Sequence, residues 1–394
     1  MPTARAPRPG RVVATSGLAY ALYFGAVGAW SPHAPVYFQN LGVDLALIGV
    51  LTAIPAAVQI VGAPAWGVLA DRLGDVRAPV VLAMAIACVV ALVLALRPPV
   101  ALLFPGVGLL AAGTCAAAPL VDARTVQDLG AERGRYGQAR AMGSVGFIVC
   151  SVAVGALIDA TGDGGMFATY IPLLAGTALV AGLLFGRPSR GQRVMGIGPI
   201  RALALLRTRT FGLFFASSVL VWTAFGGASA YFSVRLVEQG ADASLVGLGW
   251  AVNALVEVPA MLIFRRLAER TGVPALIVAG ALALGIRNLG WGLAGSAAAS
   301  VGVAALSGVG FSLVLVGTTT WLADLVPSSM RATAQALFLG TAFAIGSIVG
   351  SLGAGLVAEA AGVGTMFDVM AAVGLVGAAA TWIALRAAKA EQAG

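Results

Sequence analysis

Apolar residues run along this chain in long stretches, each closed by a charged or Gly/Pro-bearing break. The stretches fall near 13–37, 45–69, 78–97, 100–124, 137–159, 166–186, 211–235, 243–264, 274–295, 298–324, 333–357 and 364–386. A helix rises about 1.5 Å per residue, so about twenty apolar residues cross the hydrocarbon core of a bilayer. None of the stretches breaks into the short alternating segments that an outer-membrane barrel needs. The pattern therefore predicts an all-α membrane protein with twelve transmembrane helices.

The longest break lies between the sixth and seventh stretches, where the chain is basic and carries Pro188 and Pro199. It divides the sequence into an N-terminal six-helix bundle (1–187), a cytoplasmic linker (188–210) and a C-terminal six-helix bundle (211–394). Internal repetition supports the division. Val68-Leu69-Ala70-Asp71-Arg72-Leu73-Gly74 recurs as Arg266-Leu267-Ala268-Glu269-Arg270-Thr271-Gly272, and Gly155, Asp159, Gly162, Met166 and Phe167 recur as Gly355, Glu359, Gly362, Met366 and Phe367. Parallel repeats of this kind fit two bundles related by an axis along the membrane normal, with a solute site between them.

Composition agrees with the pattern. Of 394 residues, 59% are hydrophobic and only 10% charged, against about 25% charged in soluble domains. The net charge of +8 invites a nucleic-acid reading, which its distribution rejects. Arg5, Arg8, Arg11, Arg72, Arg77, Arg133, Arg135, the run from Arg187 to Arg209, Arg265, Arg266, Arg270, Arg331, Arg386 and Lys389 all fall on one side of the predicted spans. The other side holds Arg97 and Arg235 among Asp44, Asp159, Asp163, Glu238, Asp242, Glu359 and Asp368. Positive residues stay inside, which places both termini in the cytoplasm. The expected partner is the lipid bilayer, and the expected location a bacterial cytoplasmic (inner) membrane. The first stretch is too long for a cleaved signal peptide and reads as a retained helix. Cys88, Cys115 and Cys150 lie within spans and have no metal-ligand or disulfide spacing; no metal or cofactor is expected.

Four charges stand inside or at the edge of apolar stretches: Asp122, Arg140, Glu257 and Arg287. Each costs at least ~2.5–3.5 kcal/mol near the bilayer centre, so such residues line a watered path or pair with one another. Glu257 and Arg287, on neighbouring spans, form a candidate proton-switchable pair, with a static structural pair as the plainer reading. His33, the only histidine, is expected to line the outer mouth. Arg124, two residues from Asp122, is expected to face away from it and reach the cytoplasmic headgroups. Gly346, Gly350, Gly353 and Gly355 read as close-packing positions; without a Lys-Ser/Thr ending they are no phosphate loop.

The break after the second span reads Gly67-x-x-x-Asp71-Arg72-x-Gly74-x-x-Arg77, and this resembles the signature of the major facilitator superfamily in the loop where that family carries it. Tyr23-Phe24-x-x-x-Gly28-Ala29-x-x-Pro32-x-x-Pro35, Pro119-x-Val121-Asp122 and Gly137-x-Ala139-Arg140-x-x-Gly143-x-Val145-Gly146 look like the lactose permease branch. Gly240-x-x-Ala243-Ser244-x-Val246-Gly247-x-x-Trp250, continuing to Glu257-Val258, is similar to the phenylpropionate permease branch. The resemblance covers nearly the whole chain. It implies the two-bundle facilitator fold, and gate residues in the repeated loops at Asp71, Arg72, Arg77, Glu269 and Arg270. It also implies a solute-binding role for Asp122 and Arg140, with Phe147 where the lactose permease stacks a tryptophan. Arg287 matches an arginine of that permease, whereas its coupling histidine and glutamate fall on Ser307 and Gly310. Coupling then rests on Glu257 with Arg287, and Trp250 and Asn253 complete the candidate cavity.

These features predict a secondary active transporter working by alternating access as a functional monomer. Proton-coupled import of an aromatic acid, sugar or nucleoside leads, driven by the proton gradient, with aromatic acids favoured slightly because arginine grips carboxylates in a bidentate fashion. Proton-coupled drug or metabolite efflux is the alternative; the span 5 sequence Gly143–Ser151 lacks the proline common in such exporters. A sensor that binds without moving solute is a third. An enzyme is not expected, because one histidine and no HExxH or GxSxG leave no catalytic constellation and no catalytic residue to name.

Overall fold

A computed structural model describes residues 9–185, 207–326 and 330–393; most of the linker expected at 188–210 lies outside the described residues. The described chain is helical: α1 (Pro9–Trp30), α2 (Ala34–Asn40), α3 (Leu45–Leu73), α4 (Arg77–Ala95), α5 (Val100–Thr114), α6 (Ala117–Leu129), α7 (Tyr136–Thr161), α8 (Gly164–Leu184), α9 (Arg209–Glu238), α10 (Ala243–Thr271), α11 (Val273–Leu293), α12 (Ala297–Leu325), α13 (Arg331–Gln335) and α14 (Phe343–Ala393). Ten helical stretches among the described residues are long and apolar enough to cross a membrane. Two of them, Val100–Thr161 with 62 residues and Ala336–Glu391 with 56, are far longer than one crossing needs. The first is broken by a 3₁₀ turn at Gly130–Arg135. The second bends at Gly362, whose φ of 87° is a left-handed value suited to glycine. Pro105, Pro172 and Pro259 stand inside helices, which buried transmembrane helices tolerate where neighbours satisfy the freed carbonyl.

The helices group into two compact units. Unit 1 comprises Met1–Tyr37, Val58–Arg193 and Asp242–Ala251; unit 2 comprises Phe38–Ala57, Val194–Ala241 and Val252–Gly394. The start of α3 thus packs with unit 2 and the start of α10 with unit 1. Small residues set the packing, since lipid gives helices no hydrophobic reason to associate. In unit 1, α1 and α7 approach so closely that a Cβ on Gly146 would lie 2.2 Å from the Ala21 carbonyl oxygen, and one on Gly28 would lie 2.5 Å from that of Phe147. In unit 2, α9 and α14 meet the same way: a Cβ on Gly350 would lie 2.1 Å from the Thr223 oxygen.

The sequence repeat has a physical meaning in these units. On α7, the Asp159 carboxylate accepts hydrogen bonds from the Ala243 and Ser244 amides (2.8 and 2.9 Å) at the exposed N-terminus of α10. On α14, Glu359 accepts from the Ala46 amide (3.4 Å) at the start of α3. Free amides at a helix start attract a carboxylate, so the repeated acid serves one task in each unit. Gly247 faces the Ser151 oxygen as Gly49 faces that of Ser351. This third pair of matching positions extends the repeat beyond what the side-chain pattern alone indicated.

Candidate functional site

Three helices of unit 1 assemble the first cluster. Tyr20, Tyr23 and Phe24 are spaced i, i+3, i+4 and share a face of α1. Asp122 stands on α6, and Tyr136 and Arg140 lie one turn apart at the start of α7. Tyr20 donates its phenolic O–H to Asp122 Oδ1 at 2.5 Å, and Tyr136 donates to the same oxygen at 2.8 Å. The two phenol rings meet edge to face, 6.5 Å apart at 89°. Tyr23 donates to the Thr114 carbonyl at 3.0 Å, which anchors α1 to α5. The Arg140 guanidinium lies 4.0 Å from the Phe24 ring centroid and 5.5 Å from that of Tyr20. Such placement over π-faces is attractive by ~0.5–2 kcal/mol, depending on desolvation. Gly143 makes the stack possible, because a Cβ there would meet Phe24 at 2.8 Å and Arg140 at 3.0 Å.

Asp122 and Arg140 therefore share one cluster, yet neither takes part in an ion pair among the described residues. The carboxylate is held by phenols and the guanidinium by rings. Both are partly exposed, as is Phe147 one turn or two further along α7. The sequence reading missed Tyr20, Phe24 and Tyr136, although the i, i+4 spacings Tyr20–Phe24 and Tyr136–Arg140 place each pair on one helix face.

Unit 2 holds a second cluster. Arg287 on α11 is fully buried and donates to Asn288 Oδ1 from Nε (2.9 Å) and Nη2 (2.7 Å), and to Ser307 Oγ from Nη1 (2.8 Å). Its guanidinium lies 5.0 Å from the Phe225 ring and 4.4 Å from that of Trp291. Asn288, itself buried, donates from its amide nitrogen to the Ala224 and Met370 carbonyls. Burying an ion costs several kcal/mol, which these charge-assisted bonds and ring faces offset. Every hydrogen bond that Arg287 makes among these groups goes to a neutral partner. Glu257, on α10, accepts a bond from Ser312 Oγ at its backbone carbonyl (3.0 Å), with Gly308 packed against its amide. Of the other expected cavity residues, Trp250 belongs to unit 1 and Asn253 to unit 2. The buried Asn253 Oδ1 has no hydrogen-bond partner among the described residues.

The expected gate residues sit at helix ends. Asp71 and Arg72 are exposed on the last turn of α3. Arg77 opens α4 and grips Asp75, with Nη2 2.6 Å and Nε 2.7 Å from Oδ2, and its backbone amide 3.0 Å from Oδ1. The carboxylate that the loop arginine holds is thus Asp75, one turn beyond the motif's aspartate. In the repeat loop Glu269 pairs with Arg265 at 3.3 Å, both exposed, while Arg270 is exposed. Burial raises the Asp75 carboxyl, but the hydrogen bonds and charge of Arg77 outweigh it and hold the group below its usual range. A carboxylate lowered on folding adds stability above its unfolded pKa, near 4, and loses it as pH falls through the folded value. The melting temperature of the wild type is expected to fall on acidification through that range by an increment, worth at most about 1 kcal/mol, that Asp75→Asn lacks. Parallel curves for the two proteins would refute the assignment.

Two expectations are corrected here. Arg124 does not reach the headgroups: it is buried, 4% exposed, and pairs with Asp128 one turn along α6 at 2.7 Å. The acid at i+4 on its own helix face provides a nearer partner than lipid phosphate. His33 does not line a mouth: it is also 4% exposed, with Nε2 3.2 Å from the Ser151 carbonyl oxygen. The turn between α1 and α2 folds it inward against α7.

Membrane-length apolar helical stretches with charged side chains gathered on helix faces fit the class of polytopic solute transporters. The MFS_1 like family matches residues 16–369, and the chain belongs to that family, as a transporter of the major facilitator type. It is 26% identical over 351 residues to the maltose permease of Geobacillus stearothermophilus, covering 89% of each chain. Among solved structures it is similar to the nucleoside transporter NupG (TM-score 0.81, 16% identity, 95% of this chain and 99% of that one). It is likewise similar to an inward-facing, unoccupied bacterial homologue of the human lysosomal transporter Spinster (TM-score 0.79, 17% identity, 97% and 98%). At these identities the solved structures speak for the fold.

Proposed function

We propose that this protein imports a small, neutral, hydroxyl-rich solute, a sugar or nucleoside, in symport with protons. The observation that carries the reading is the state of Asp122 and Arg140: both charged groups in one aromatic cluster, with no ion pair joining them. A hydroxyl group donates to a carboxylate and accepts from a guanidinium, so a polyol satisfies both at once. An anionic aromatic acid would satisfy Arg140 but meet Asp122 as a like charge, which reverses the slight lead that arginine alone gave to acids. The likeness to a maltose permease supports the same class.

In this reading the two longest helical stretches each cross the membrane twice, giving twelve crossings in bundles 1–187 and 211–394, with both termini cytoplasmic in a bacterial inner membrane. Phe147, Trp250 and Asn253 supply cavity surface, and Asp71, Arg72, Arg77, Glu269 and Arg270 act at the gates. Glu257 exchanges the proton. Arg287, held by neutral Asn288 and Ser307, supplies the positive field that favours its ionised form.

Uptake of labelled maltose, uridine and 3-phenylpropionate into proteoliposomes, with and without an inward proton gradient, tests the reading. Gradient-driven accumulation of maltose or uridine is expected, and Glu257→Gln should exchange solute without concentrating it. Accumulation of phenylpropionate alone would refute the solute class, and uphill uptake by Glu257→Gln would remove the proton role.

A further inference from the structure

A carboxylate and a guanidinium in one cluster attract, and the simplest arrangement is an ion pair. Unit 1 does not adopt it. Asp122 Oδ1 accepts from Tyr20 and from Tyr136, which fills both of its lone-pair positions. No hydrogen bond among the described residues reaches Oδ2. The phenols come from different helices, α1 and α7, so the carboxylate is fixed from two directions. Arg140 meanwhile lies against Phe24 on α1 rather than reaching to α6. From this we infer that Tyr20 and Tyr136 are positioning residues, a two-phenol clamp that restrains Asp122 from collapsing onto Arg140. Both charges thereby stay available to solute.

The inference rests on the reading of Asp122 and Arg140 as a solute site, and it sharpens the chemistry of that site. With Oδ1 saturated, Asp122 offers one acceptor atom, Oδ2, to solute hydroxyls. Arg140 offers N–H donors in a plane set by the Phe24 ring. The fitting ligand presents a donor hydroxyl next to an acceptor oxygen, as neighbouring hydroxyls on a sugar ring do. A phenol lost from either side frees Oδ1, and the carboxylate then swings to the guanidinium. The clamp acts through Asp122 and touches no solute itself.

Two cycles test it, using maltose as the probe and the full-length protein in detergent. Tyr136→Phe keeps ring and packing and is expected to weaken maltose binding about tenfold, the loss of one charge-assisted hydrogen bond. In an Asp122→Asn background the same change should alter affinity by less than about twofold, because the group it positions is gone. Equal losses in the two backgrounds would mean a merely structural tyrosine and would overturn the clamp. The second cycle needs no ligand. Arg140→Gln is expected to lower the melting temperature more in Tyr20→Phe/Tyr136→Phe than in wild type, since the Asp122–Arg140 pair forms only without the clamp. Identical shifts would overturn the inference. Coupling in this cycle, combined with maltose binding untouched by Asp122→Asn and Arg140→Ala, would keep the clamp and reject the solute-site reading instead.

Discussion

Arg140→Lys will weaken solute binding by about 10- to 100-fold, and Arg140→Ala will leave no saturable binding. The reason lies in shape rather than charge. The guanidinium is a planar fork laid on Phe24 at 4.0 Å, and that plane sets where its N–H groups point. Lysine keeps the positive charge but offers a compact, strongly hydrated ammonium that neither stacks in the same way nor bonds two acceptors in parallel. Losing one of two charge-assisted bonds costs about 1.5–3 kcal/mol, which is the stated range in Kd. The stack on Tyr20 and Phe24 is lost with it, so the α1 face loosens at the same time. Equilibrium binding of labelled maltose measures both variants. A lysine variant within twofold of wild type would show that charge alone matters and that the Phe24 platform is incidental.

Much of the architecture was legible because bilayer thickness imposes a length on every crossing, and a stretch such as 211–235 sits inside the observed helix Arg209–Glu238. Charge within the apolar stretches was legible for a related reason: Asp122, Arg140 and Arg287 are too costly in lipid to be incidental. Their partners were not. Arg140 on α7 meets Phe24 on α1, and Asp122 on α6 meets Tyr20 on α1; helix faces can be read from spacing, but which faces meet depends on tertiary packing. Arg287 shows the same limit, since its hydrogen-bond acceptors are an adjacent asparagine and a serine twenty positions along, both of which read as ordinary polar residues. The repeated acids Asp159 and Glu359 were visible as a pattern long before their task was. Only the placement of α10 and α3 reveals that each meets the free amides of a helix start. Arg124 failed for want of one more turn: Asp128 lies on its own helix face.

The glycines of α14 give the strongest test of packing, because sequence treats them alike and structure does not. Gly346, Gly350, Gly353 and Gly355 form one small-residue run, yet a Cβ on Gly350 would sit 2.1 Å from the Thr223 oxygen and 2.8 Å from the Gly227 nitrogen, whereas one on Gly353 would meet nothing within 4 Å. The obstacle at Gly350 is backbone, which cannot rotate aside as a side chain can. Gly350→Val must therefore push α9 from α14, parting an interface in which Gly226, Gly227 and Gly346 also face the opposite helix closely. Overpacking of a tight core costs ~1–3 kcal/mol even where neighbours can shift, so the loss here is expected to exceed about 3 kcal/mol. In a membrane no hydrophobic drive between helices compensates for the lost contact. Gly353→Val, three residues away on the same helix, is expected to change stability by no more than about 0.5 kcal/mol. Detergent extraction followed by size-exclusion chromatography and thermal melting compares the two. Gly350→Val should give little monodisperse protein or a sharply lowered melting temperature, and Gly353→Val a wild-type profile. A normal melting temperature for Gly350→Val would mean that α9 and α14 are not held together by the direct backbone approach described for unit 2.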